Sequence, residues 1–212
     1  MARRSDHSRE EIKELALDAA KKIVAEHGFA ALSARKIASA IGYTVGTLYL
    51  VFKNLDDLIM QLNARTLEEL FKNVHQQTEG KSSRKTNSKD KHKKLRSYGQ
   101  AYYHFAKQNP HLWSLIFEHH ITNGEPLIPE LEERIGTLFA LIEAELKTLA
   151  PNKKPAAIHS AAMSLWSGVH GITILAISDK LFMAQNVTPE DMINQLIDNF
   201  LNGLLKHNPT GV

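Results

Sequence analysis

Between Leu32 and Phe52 the chain reads LSARKIASAIGYTVGTLYLVF, a stretch whose apolar spacing about Gly42 leaves few ways to fold. Ile37, Ala38 and Ile41 share one face of a short helix, and the small Ala38 lets another helix approach closely. Gly42 follows where a chain leaving a helix commonly takes positive φ, which strains any residue carrying a Cβ. Thr44 then caps a second helix that buries Leu48 and either Val51 or Phe52. Thr44, Val45, Gly46, Thr47 and Tyr49 remain near its exposed N-terminal end. Two short helices about such a turn form a helix-turn-helix, and that end of the second helix is the one that meets DNA base edges.

The rest of the composition narrows the alternatives. The chain has 212 residues, is 43% hydrophobic and 23% charged, and contains no Cys, which excludes disulfide frameworks, thiol catalysis and thiolate zinc sites. No apolar run is expected to span a bilayer, and the N-terminal MARRSDHSREE has no apolar segment behind its basic residues, so neither a membrane partner nor a signal peptide is expected. The expected location is cytoplasmic. The net charge of +3 is unevenly distributed. Residues 1–53 carry nine Lys and Arg against six Asp and Glu, so the first basic block coincides with the candidate reading head, where phosphate neutralisation supplies sequence-independent affinity. Residues 81–96, KSSRKTNSKDKHKKLR, carry eight against one. This second block lacks apolar periodicity and reads as a mobile linker or long loop, either a solvated connection or a contact to DNA backbone or another acidic partner.

Helical signals recur along the whole chain. Ser8 and Glu11 form a capping-box pattern ahead of Ile12, Leu15, Ala16, Ala19, Ile23 and Val24 at helical spacing. Ser33 caps the next helix, and Asn54 with Asp57 starts a longer one to about Thr78. Further helices are expected at about 91–108, 111–120, 129–149, 156–183 and 189–206, and no convincing strand is seen. The expected fold class is all-α.

Ser8 to about Leu62 resembles the N-terminal domain of the TetR family of bacterial transcriptional repressors, through Leu32, Ile37, Ala38, Gly42, Gly46-Thr47-Leu48-Tyr49, Phe52-Lys53 and Leu58. Two positions depart from the family pattern: Val51 stands where His or another polar or aromatic residue is frequent, and Leu55 where Lys is frequent. An apolar Val51 cannot donate a hydrogen bond, but it can touch a thymine methyl group. The resemblance implies a three-helix DNA-binding domain at 1–53 and a helical effector-binding and dimerisation domain at 54–212, with 54–79 a connecting helix and 80–90 a basic flexible loop. It also implies phosphate contacts from Tyr49 and Lys53, and hydroxyl contacts from Thr44 and Thr47. Val45 lies at the same end, Gly46 lets the backbone come close, and Arg35 resembles a family position that can reach a guanine, whose paired acceptors match its planar fork; a solvated charge or a phosphate clamp is the other reading.

Two C-terminal segments carry the signs of pairing. Met192, Ile193, Leu196, Ile197, Phe200, Leu201, Leu204 and Leu205 form a stripe, while 156–183 is apolar around most of its circumference and rich in Ala, Ser and Gly. Such helices are expected to form a two-fold bundle in a homodimer, the arrangement the resemblance also implies; packing within one copy is the other reading. Trp166, His170 and Gly171 resemble the Trp-His-Gly signature of one group of TetR-type C-terminal domains. With Tyr102, His104, Phe105, Trp113, Phe117 and His120 they supply apolar walls with polar tips, as a small-molecule pocket requires, although packed core aromatics would read the same.

Other classes find less support. The eleven His show no His-Glu-x-x-His spacing, and adjacent His119 and His120 would point about 100° apart on a helix, so no metal and no cofactor is expected. No phosphate loop, nucleophile elbow or paired catalytic carboxylates argue for an all-α enzyme. The chain therefore reads as a sequence-specific regulator of transcription, a repressor released from an inverted-repeat operator in double-stranded DNA by a small-molecule effector. A nonspecific or architectural nucleic-acid-binding protein is the alternative.

Overall fold

A computed structural model describes residues 7–79, 90–121, 126–181 and 186–206, among which there are nine α-helices and no strand. Residues 80–89, which hold most of the expected 80–90 basic loop, lie outside these residues, as does the end of the expected 156–183 helix.

Local chemistry accounts for most helix boundaries. Helix α1 (Arg9–His27) opens on a full capping box: the Glu11 amide donates to Ser8 Oγ at 3.2 Å and the Ser8 amide donates to Glu11 Oε2 at 2.6 Å. Helix α2 (Ala34–Ala40) is capped by Ser33 and α3 (Val45–Leu48) by Thr44, each accepting from the amide three residues on. Helix α4 (Leu55–Glu79) follows Asn54, whose Oδ1 accepts from the Asp57 amide at 2.7 Å. Helices α5 (Lys93–Gln108), α6 (Pro110–Glu118) and α7 (Pro129–Leu149) lead to α8 (Pro155–Ile177) and α9 (Pro189–Lys206).

Helix α8 corrects two expectations. It stops at Ile177 because Asp179 turns to φ 53°, the Asp179 amide donates to Ala176 O, and the Lys180 amide donates to Leu175 O at 2.8 Å. That is a Schellman closure with Asp in the position glycine usually takes. By length and composition α8 is also apolar enough to cross a bilayer, contrary to the expectation of no such run, because its interspersed Ser and Gly dilute its hydropathy only slightly.

The helices form two compact units. The first contains residues 1–68 and 109–134, so α6 joins the helix-turn-helix. Its core is built on Leu17, Val24, Ile37, Leu48, Leu58 and Leu62, together with Leu112 and Leu115 from α6. A buried polar clasp adds to this packing: His119 Nε2 lies 2.9 Å from Asp56 Oδ1, and the His119 side chain is only 4% exposed. Residues 1–53 alone would leave the apolar side of α1 uncovered where α6 packs.

The second unit contains residues 69–108 and 135–212. Helices α5, α8 and α9 pack against one another around Leu95, Tyr103, Leu165, Val169, Ile193 and Ile197. At one end Arg96 donates to both oxygens of Asp198 at 2.7 Å and also pairs with Asp90, while His92 Nδ1 lies 3.1 Å from Asp198. The described end of the basic block therefore spends charge on an internal network.

Candidate functional site

The turn between α2 and α3 has the expected construction. Gly42 adopts φ +74°, with the Tyr43 amide donating back to Ala38 O at 2.9 Å. Thr44 Oγ1 accepts from the Thr47 amide at 3.2 Å and lies 3.0 Å from Thr47 Oγ1. One Thr hydroxyl is thus committed to starting the helix and draws the other toward it. After Leu48 the chain continues as hydrogen-bonded turns, with the Leu50, Val51 and Phe52 amides donating to Thr47 and Leu48 carbonyls. Leu48 and Phe52 are buried, at 1% and 2%, and Val51 is half-buried against the same core.

This leaves a connected outward surface. Tyr49 is 45% exposed and Leu50 65% exposed, while Thr44, Gly46, Lys53 and, on α2, Arg35 and Lys36 are also exposed. Val45 and Thr47 are half-buried. Tyr43 is held differently, with its hydroxyl 2.8 Å from His7 Nδ1. A Cβ added to Gly46 would meet only Thr44 Oγ1 at 3.6 Å, an ordinary contact, so nothing within the chain requires glycine there. Leu50 is the residue that sequence reasoning missed. It stands two residues beyond Leu48, about 200° further round a helix and so away from the buried face, but a large apolar residue next to a core position is easily taken for core.

The second unit holds a cavity of about 70 Å³. Leu70 and Val74 of α4, Leu138, Leu141 and Ile142 of α7, and Ile197 of α9 supply part of its wall. Leu95, Tyr98, Gly99 and Tyr102 of α5 face Leu165, Trp166 and Val169 of α8. Tyr102 and Trp166 are therefore brought together as expected, and His170 stands behind them. Tyr102 Oη lies 2.8 Å from His170 Nδ1, and the Trp166 and His170 rings stack at 5.1 Å. Burial pushes the His170 imidazolium pKa below its ordinary value, favouring the neutral ring.

The other aromatic candidates lie elsewhere. His104 Nε2 pairs with Glu190 at 3.0 Å, Phe105 is buried away from the cavity lining, and Trp113 and Phe117 pack together at 5.0 Å in the first unit. The reason is positional: α6 is close to α5 in sequence but contributes its apolar face to the helix-turn-helix core. His120 is exposed and lies 2.9 Å from Glu118 O. Among the described residues no three His, Asp or Glu side chains gather as a metal site.

Comparison with known proteins agrees with this geometry. Residues 16–62 match the model for bacterial regulatory proteins of the tetR family, and residues 95–200 match the Tetracyclin repressor-like C-terminal domain. The fatty acid metabolism regulator protein of Bacillus subtilis (strain 168) is 30% identical over 69 residues, which make up 32% of this chain and 36% of that protein, so the match spans about a third of the relative. Among solved structures, a protein of unknown function from Rhodococcus sp. RHA1 superposes with a TM-score of 0.71 at 17% identity, covering 95% of this chain and 98% of that one. The fatty acid degradation regulator FadR from Bacillus halodurans gives 0.61 at 17% identity, covering 92% and 97%. With a capped recognition helix in one unit, a walled cavity in the other, and a C-terminal family match over half its length, the chain belongs to the tetR family of bacterial regulatory proteins.

Proposed function

We propose that this protein is a dimeric transcriptional repressor that releases an inverted-repeat operator when a small molecule occupies the cavity of the second unit. The carrying observation is the exposed surface of α3 and the turns that follow it, where Tyr49 and Leu50 stand 45% and 65% open to solvent in the same stretch as Thr44, Gly46 and Lys53. Tyr49 and Lys53 fix the register on phosphates, Arg35 and Thr47 reach base edges, and Val45 and Leu50 supply apolar contact to thymine methyl groups. One such head reads few bases, so a symmetric pair in successive major grooves, about 34–36 Å apart, is required.

Pairing occurs through α8 and α9. Met163, Ile174 and Leu175 of α8 are 38%, 43% and 41% exposed, an apolar face that a second copy covers. The effector acts by favouring a dimer whose heads have the wrong spacing. A hundredfold preference for that form is worth about 2.7 kcal/mol of coupling. The relatives named for fatty acid metabolism and degradation support a ligand with a hydrocarbon body, which the apolar lining suits.

The test is enrichment of source-genome fragments on the purified protein at moderate salt. Recovery of one inverted repeat, lost in Tyr49→Ala, supports a dimeric reader. Binding without enrichment favours a nonspecific nucleic-acid-binding protein instead.

A further inference from the structure

The cavity lining contains, among the described residues, no Lys, Arg, Asp, Glu or His, and its polar atoms belong to two tyrosines and one tryptophan. The cations beside it along α5 are already engaged. Lys94 Nζ lies 2.8 Å from Glu145 and 5.8 Å over the Tyr98 ring, and Arg96 is held by Asp198 and Asp90. A carboxylate or ammonium head at the half-buried Tyr102 would therefore lose part of its hydration without meeting an opposite charge, which disfavours it against a neutral head. A neutral polar atom faces no such barrier. Tyr102 and His170 share one hydrogen bond at 2.8 Å, and that bond can run in either direction according to the imidazole tautomer. The Tyr102 hydroxyl can consequently serve a ligand donor or a ligand acceptor.

We propose that the cavity selects an uncharged ligand, with a hydrocarbon body among Leu138, Leu141, Ile142 and Leu165 and a single neutral hydrogen-bonding group, such as an alcohol, at Tyr102. This rests on the reading of the cavity as the effector site and adds the charge class of the effector to it. Trp166 packs along the hydrocarbon body. The neutral head meets the Tyr102 hydroxyl instead of a counter-ion.

Calorimetric titration of the full-length protein with matched 1-alkanols, alkanoates and alkylamines of three to six carbons, sized to the cavity, tests the proposal. The expected result is that the best alkanol binds at least tenfold tighter than the alkanoate and alkylamine of the same length. Tyr102→Phe weakens the alkanol several-fold. Leu141→Trp abolishes binding by filling the space. Because a filling variant can fail to fold, ω-bromoalkanols give a second readout: they quench Trp166 fluorescence, and Trp166→Phe loses that quenching while the Trp113 emission remains.

Equal or tighter binding of an alkanoate or alkylamine, removed by Leu141→Trp, overturns the uncharged class and leaves the cavity as the effector site. No binding by any series, or quenching that persists unchanged in Trp166→Phe, overturns occupation of the cavity as well. Operator enrichment measured without any ligand is independent of these outcomes, so failure of the ligand class is distinguishable from failure of the regulator reading.

Discussion

Gly46 and Gly99 occupy opposite circumstances, and the contrast separates the two units. At Gly46 an added methyl would touch only Thr44 Oγ1 at 3.6 Å, so the chain itself leaves the position open. At Gly99 the same methyl would lie 2.8 Å from Ile193 Cγ2 and 3.0 Å from Ile197 Cδ1, inside the packing of α5 against α9. The first glycine keeps a surface approachable from outside. The second lets two helices close on each other beside a cavity. Chemistry in the DNA-reading unit is thus displayed outward on one short segment, whereas in the other unit it is assembled inward from several helices.

The largest effect is expected where the display is removed. On the proposed reading Tyr49→Ala combined with Lys53→Ala removes two phosphate contacts from each half-site, and operator affinity should then fall about a hundredfold or more, at about 1.4 kcal/mol per decade. Lys53→Ala alone should weaken binding across all sequences and reduce the salt slope by about one per half-site. Gel-shift titrations over a salt series measure both. An unchanged slope would remove Lys53 from the phosphate surface.

The paired glycine substitutions come next. Gly99→Ala should cost about 1–3 kcal/mol of stability, because Ile193 and Ile197 are almost fully buried and their branched side chains have little room to yield. Gly46→Ala should leave stability unchanged or raise it by up to about 1 kcal/mol, since Ala is the better helix former. Its damage should fall on operator affinity instead. Thermal unfolding and DNA titration on the same two variants distinguish these outcomes, and a stable Gly99→Ala would show that α5 and α9 can separate without loss. Leu50→Ala should have a smaller consequence. It should retain stability and lose about 1 kcal/mol at a single thymine position, read by comparing operators with thymine and uracil there.

The same contrast explains what could be read from sequence. The helix-turn-helix is local: Ser33, Ile37, Gly42, Thr44 and Leu48 set caps, turn and core within sixteen residues, and their periodicity carries the arrangement. The cavity is not local. Its wall joins Leu70 to Ile197, and Leu138, Leu141 or Ile142 are indistinguishable in sequence from ordinary packing residues. Trp166 and His170 stood out because aromatic and polar residues one helical turn apart share a face. Trp113 and Phe117 stood out equally by composition, yet they lie in the first unit because α6 packs on α1. Proximity along the chain to Tyr102 carried no information about which core the helix would join.

The smallest predicted effect concerns His170, where the inward chemistry should be sensitive to protons. Burial disfavours the imidazolium, so the folded pKa lies below the ordinary value of 6.5. As pH falls through that value the unfolded chain takes up the proton before the folded one, which favours unfolding. The contribution of His170 to stability is therefore fully present above about pH 6.5 and is lost as pH falls through the lowered folded value. His170→Gln removes this titration. Its melting temperature should consequently decline less than that of the parent between about pH 7.5 and about pH 5.5, an interval chosen around the unperturbed histidine pKa. Every other residue is common to both proteins, so the difference between the two curves isolates residue 170. Parallel curves would mean that His170 is as free to charge in the folded protein as in the unfolded chain, and that the second unit does not hold its polar edge neutral.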